Sequence, residues 1–172
     1  MTLLTEGNLQ IMLPSGATGR KFDDEYAHGL SHCMKAVDFV VETADQLLFI
    51  ELKDPENPQA AGANRQEFLA KFSSGQLDAD LKTKFRDSFL YEQAADRVRK
   101  PIKYLVLVGA STLSSAELLR RTEALKRQLP LHGPRGQPWK KPFVAGCAVM
   151  NLAAWNKAFV QFPVSRVGTA GP

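Results

Sequence analysis

Apolar and polar positions alternate over residues 9–13, Leu-Gln-Ile-Met-Leu, which predicts a strand with one buried face. Pro14-Ser15-Gly16 turns the chain, and residues 17–22 return as a second strand. Asp23-Asp24-Glu25 then opens a short helix, because a first turn favours carboxylates. Residues 35–42 and 47–53 are rich in branched and aromatic side chains and give the clearest strands. Asp54-Pro55 stops the second of them.

Beyond a loop at 56–63 the period changes. Leu77, Leu81, Phe85 and Phe89 recur every fourth residue, the stripe of an amphipathic helix. The helical pattern runs from about 64 to 99, and Gly75 divides it in two. Pro101 ends it, and Ile102–Val108 is a nearly continuous apolar run, as a central buried strand requires. Ser114-Ser-Ala-Glu117 has capping-box spacing and starts a helix that reaches about Leu129. Prolines and glycines make 131–142 a loop. Phe143–Met150 is a further strand, and 151–159 a last helix. This order predicts an α/β fold, a mixed sheet flanked by helices, in a single domain over 1–167. The end, 168–172, reads as a flexible tail.

The composition is ordinary for a globular protein: 44% apolar and 23% charged. A chain of 172 residues buries enough surface to fold without disulfide or metal staples. No apolar run is long enough to span a bilayer. The first residues lack the basic start and apolar stretch of a secretion signal. These features predict a cytoplasmic protein with no membrane partner. Cys33 and Cys147 have no metal-type spacing and read as reduced thiols. His28 and His32 are four apart, but Gly29 argues against the shared helix that zinc would need. The net charge of +4 is compatible with a polyanionic partner without demanding one. Basic residues gather at Lys82, Lys84, Arg86, Arg97, Arg99 and Lys100, and again at Arg135, Lys140 and Lys141.

The hairpin of the two clearest strands holds the chemistry. Folding it about the point between Ala44 and Asp45 sets Asp38 opposite Glu51, with Cβ atoms about 5 Å apart on one face of the sheet. Lys53, two residues beyond Glu51, projects from that same face. Two carboxylates facing each other among apolar neighbours repel, and buried charge needs a partner. Protonation of one carboxyl, compensation by Lys53 or a divalent cation between the two would each resolve the conflict. Magnesium suits such a site, since it takes one or two carboxylates and fills its shell with water and phosphate oxygens. The plain alternative is a structural salt bridge of Lys53 with either acid.

Asp38, twelve intervening residues and Glu51-Leu52-Lys53, on a hairpin followed by a helix and a buried strand, resemble the PD-(D/E)xK nuclease superfamily. The resemblance covers roughly residues 20–110. Val37 stands where the motif usually has proline. The resemblance implies a restriction-endonuclease-like fold and a Mg²⁺- or Mn²⁺-dependent nuclease, acting on DNA rather than RNA by family likeness alone. It makes Asp38 and Glu51 metal ligands, with the Leu52 carbonyl as a third. Lys53 would be the catalytic lysine. An additional acid would come from the preceding helix, with Glu25 the best match and Asp24 the next. Lys84 would be presented to the site by the following helix, its plainer reading being a solvated flank. Arg135, Lys140 and Lys141 would contact phosphate. Trp139 beside them suits either stacking on an unpaired base or covering an apolar gap. Cutting both strands would require a homodimer, a larger complex or two visits. The alternative to the enzyme is a catalytically silent module of the same fold that binds nucleic acid or a protein.

Overall fold

The computed structural model describes residues 2–58 and 62–167, without the side chains of residues 25, 27, 62 and 63. In chain order, β1 (Thr2–Glu6), β2 (Leu9–Leu13) and β3 (Thr18–Lys21) precede α1 (Glu25–His28). Then come β4 (Phe39–Glu42), β5 (Leu47–Lys53), α2 (Gly62–Ser74) and α3 (Leu77–Ala94). Next are β6 (Ile102–Val108), α4 (Ser115–Gln128), β7 (Val144–Asn151), α5 (Leu152–Ala158) and β8 (Val164–Arg166). The tail expected at 168–172 lies outside the described residues.

The main sheet has the order β3-β4-β5-β6-β7. Strands β3, β4 and β5 run antiparallel, whereas β5, β6 and β7 run parallel. The sheet is therefore mixed, and β5 is where its sense changes. All residues of β5 but Lys53 are buried. Phe49 faces the core made with Phe72, Leu81 and Phe85 of α2 and α3 and with Leu118 and Leu125 of α4. Leu48, Ile50 and Leu52 face the opposite core, closed by Leu4, Ile11, Leu13 and Trp155. Burial on both faces explains why β5 and β6 read as apolar runs rather than alternations.

Most elements match the sequence pattern. Gly75 separates α2 from α3 with φ near +82°, a conformation that favours glycine. Ser114 caps α4: its hydroxyl accepts from the Glu117 amide, and Glu117 accepts from the Ser114 amide at 2.8 Å. Two expectations need correction. Residues 9–13 and 17–22 do not form a hairpin with each other. Strand β2 pairs with β1 and β8 in a separate three-stranded sheet, while β3 joins β4. The two sheets meet at Gly19, where a Cβ would come within 2.6 Å of Leu13 and 2.9 Å of Leu4. The other correction is that residues 35–38 are not strand. The amide of Lys35 donates to Asp87 and that of Val37 to Ser88, both on α3, so the helix takes the bonds a sheet neighbour would need. Among the described residues no helix is long and apolar enough to cross a membrane.

Candidate functional site

The β4–β5 register pairs Phe39 with Ile50 and Val41 with Leu48. Continued by one residue, it sets Asp38 opposite Glu51. The carbonyl of Lys53 accepts from Gly109, so Lys53 turns its peptide groups to the β6 side and Leu52 turns its own towards β4. There the ladder ends. Leu52 would next bond to Val37, but the Val37 amide is held by Ser88 Oγ at 3.0 Å. The Leu52 amide donates instead to Asp38 Oδ2, at 2.5 Å. The Asp38 side chain thus replaces a strand carbonyl, and the Leu52 carbonyl points beyond the end of β4.

Asp38 is 5% exposed and Glu51 is not exposed at all. Glu51 Oε1 lies 2.7 Å from Lys53 Nζ and 2.8 Å from Lys84 Nζ. Glu51 Oε2 is buried with no hydrogen-bond partner among the described residues. Lys84 also approaches Asp38 Oδ1 at 3.6 Å and Asp23 Oδ2 at 3.7 Å. Its side chain is 13% exposed, so the solvated-flank reading is wrong: Lys84 points into the protein, where three carboxylates converge. It shares a face of α3 with Ser88, one turn on. The same helical face therefore holds the approach to β4 and delivers the ammonium.

Burial, then the charge of Glu51, pushes the Asp38 carboxyl from 3.8 up to about 7, against the pull of Lys84 and the Leu52 amide. Burial opposes the Lys84 ammonium, but Glu51 and Asp38 outweigh it and hold its pKa above the ordinary value. With both carboxylates ionised, Asp38, Glu51, Lys53 and Lys84 sum to zero charge, and the Asp23 carboxylate brings the cluster to −1. Without the lysines, an unpaired buried carboxylate would cost several kcal/mol.

The structure brings Asp38, Glu51, Lys53 and Lys84 together and adds Asp23, which sequence reasoning missed. Its signal was present in the acidic run, but Asp24 and Glu25 drew attention as the expected helical acids. The Asp24 side chain instead accepts the Tyr26 amide and caps α1. The Glu25 side chain lies outside the described ones. Arg135, Lys140 and Lys141 are not part of this cluster. Their loop precedes β7, whose first residue, Val144, is level with Ile102 and Leu47 at the start of β5. Glu51 lies four residues further along, roughly 13 Å at the rise of a strand. The basic run on and after α3 is largely neutralised: Arg86 pairs with Asp87, Arg97 with Glu92, Arg99 with Asp96 and Lys100 with Glu42. His28 packs against Phe22 and Tyr91, and its Nδ1 accepts from the Leu30 amide.

Among the described residues no three His, Cys, Asp or Glu side chains stand together as metal ligands. A cation here would rely on Asp38, Glu51, the Leu52 carbonyl and water, a donor set that suits a hard divalent ion. The unpartnered, buried Oε2 of Glu51 fits such a ligand. Compared with known proteins, the chain matches no family model, no curated protein and no solved structure.

Proposed function

We propose that this chain is a metal-dependent nuclease, hydrolysing phosphodiesters in nucleic acid, DNA foremost, on the restriction-endonuclease-like plan of the PD-(D/E)xK enzymes. The observation that carries the reading is the wholly buried Glu51 facing Asp38, with one carboxylate oxygen unpartnered and Lys53 beside it. A structural salt bridge needs only one acid and one base. Here two acids are held together at the open end of a strand pair, at a cost that two lysines offset.

Asp38 and Glu51 would hold Mg²⁺ or Mn²⁺ with the Leu52 carbonyl. The ion would supply positive charge against the phosphate and acidify water. Lys53, the more exposed of the two lysines, orients water towards the phosphorus and stabilises the charge gathering on the phosphate. Lys84 holds the Glu51 side chain in place through its contact with Oε1, and Ser88 fixes the chain entering Asp38. Adding a divalent ion to a cluster of three carboxylates and two lysines leaves one positive charge in excess, which substrate phosphates offset. Metal and nucleic acid therefore strengthen each other's binding.

The lysines already paired to Glu51 Oε1 favour a second reading, a catalytically silent module that uses the same surface for nucleic acid or a protein. The deciding experiment incubates the protein with Mn²⁺ and labelled single-stranded DNA, duplex DNA and RNA. The nuclease reading requires product that disappears with EDTA and in Glu51→Gln and Lys53→Ala variants that remain folded. Binding of any of these substrates without product supports the silent module.

A further inference from the structure

We propose that a groove between α3 and the loop preceding β7 binds single-stranded nucleic acid, stacking an unpaired base on Trp139 and holding its phosphates with Arg135, Lys140 and Lys141. The groove encloses about 660 Å³ and is lined by Phe89, Phe143 and Trp139 with the loop prolines. Trp139 is fixed in place yet 43% exposed. Its Nε1–H donates to the Pro130 carbonyl at 2.8 Å, and its ring meets Phe143 edge-on with centroids 5.5 Å apart. Phe143 is held in turn by Phe89, at 4.0 Å. An aromatic face immobilised in advance loses little entropy when a flat ligand stacks on it.

Charge selects the ligand. Residues 124–172 contain seven lysines and arginines and no acid, whereas residues 1–123 contain fifteen against eighteen acids. All the excess positive charge of the chain thus lies in its last third. Arg135, Lys140 and Lys141 are exposed, and among the described residues none of them has an acidic partner. An apolar aromatic wall with unpaired cations at its rim suits a ligand with flat bases on an anionic backbone. A duplex hides its base faces and would leave Trp139 unused. Gln93, which also lines the groove, lies on α3 nine residues from Lys84, about 14 Å along the helix axis.

The choice of nucleic acid rests on the function proposed above, but the test does not depend on cleavage. In buffer containing EDTA, fluorescence anisotropy follows a short end-labelled oligothymidylate titrated with the protein, with Trp139→Ala and with Lys140→Ala/Lys141→Ala. Trp139→Ala should weaken binding about 5- to 100-fold. The double lysine variant, whose changes are on the surface, should lower the slope of log affinity against log salt by about 1.4. Duplex DNA and an abasic backbone should bind no better to the wild type than oligothymidylate does to Trp139→Ala. Oligouridylate is titrated in parallel: binding of either oligonucleotide supports the groove, and the tighter one names the natural class. No binding by the wild type, equal binding of the abasic backbone, or unchanged binding in both variants overturns the proposal. So does tighter binding of an acidic proline-rich peptide, which would assign the groove to a protein partner.

Discussion

Lys84 Nζ on α3 lies 2.8 Å from Glu51 Oε1 on β5, and it is the less exposed of the two cations that Glu51 contacts. Replacing it with a side chain of similar shape and no charge leaves Glu51 to Lys53 alone. Lys84→Met should therefore destabilise the fold by about 1–3 kcal/mol, less than the 3–5 of a buried pair broken outright, because Lys53 remains. Urea denaturation measures this. Adding Glu51→Gln should recover most of the loss, as expected for residues coupled through one contact. Additive losses would mean that Lys84 acts elsewhere.

Asp38 should make stability depend on pH. Its carboxyl is raised from 3.8 to about 7 by burial and then by Glu51. Between these values the folded chain keeps a proton that the unfolded chain releases. The stabilisation is complete below the unfolded value and is lost as pH rises through 7, on the order of 4 kcal/mol in all. Denaturation curves across that range should show the decline, and Asp38→Asn should remove it. A mutant with the same pH slope as the wild type would assign the decline to another group.

Ser88 holds the chain that leads into Asp38. Its hydroxyl accepts the buried Val37 amide, the residue before Asp38. Ser88→Ala should cost about 1–3 kcal/mol, the penalty of a buried amide left without an acceptor. It should also weaken Mn²⁺ binding, because the approach to Asp38 loosens. Ser88→Thr, which keeps the hydroxyl, should retain more of both than Ser88→Ala. Equal losses in the two variants would show that packing, not the hydrogen bond, sets the geometry.

The sequence revealed what depends on local periodicity. The turn at Ala44-Asp45 set the pairing of β4 with β5, and with it the facing of Asp38 and Glu51, because a short antiparallel hairpin leaves one register open. The capping box of α4 and the break at Gly75 were legible for the same local reason. Strands β1 and β8 were not. Only Leu4 of β1 is buried, β8 has three residues, and β8 pairs with β2 from the far end of the chain. The early end of β4 was hidden because Ser88, fifty-one residues away, holds Val37. Asp23 and Lys84 converge only through the packing of α3 on the sheet, so no spacing in the sequence joins them to Glu51.

The central claim is that Asp38 and Glu51 hold a divalent cation. Its most direct test is calorimetric titration of Mn²⁺ in metal-free buffer at about pH 8, above the Asp38 pKa, where the carboxylate need not release a proton. The wild type, Asp38→Asn and Glu51→Gln are each titrated alone and with a non-cleavable phosphorothioate oligonucleotide. The account predicts saturable binding by the wild type that tightens with the oligonucleotide and is lost in both variants. Absence of saturable binding under both conditions, or binding that survives in Glu51→Gln, would contradict it.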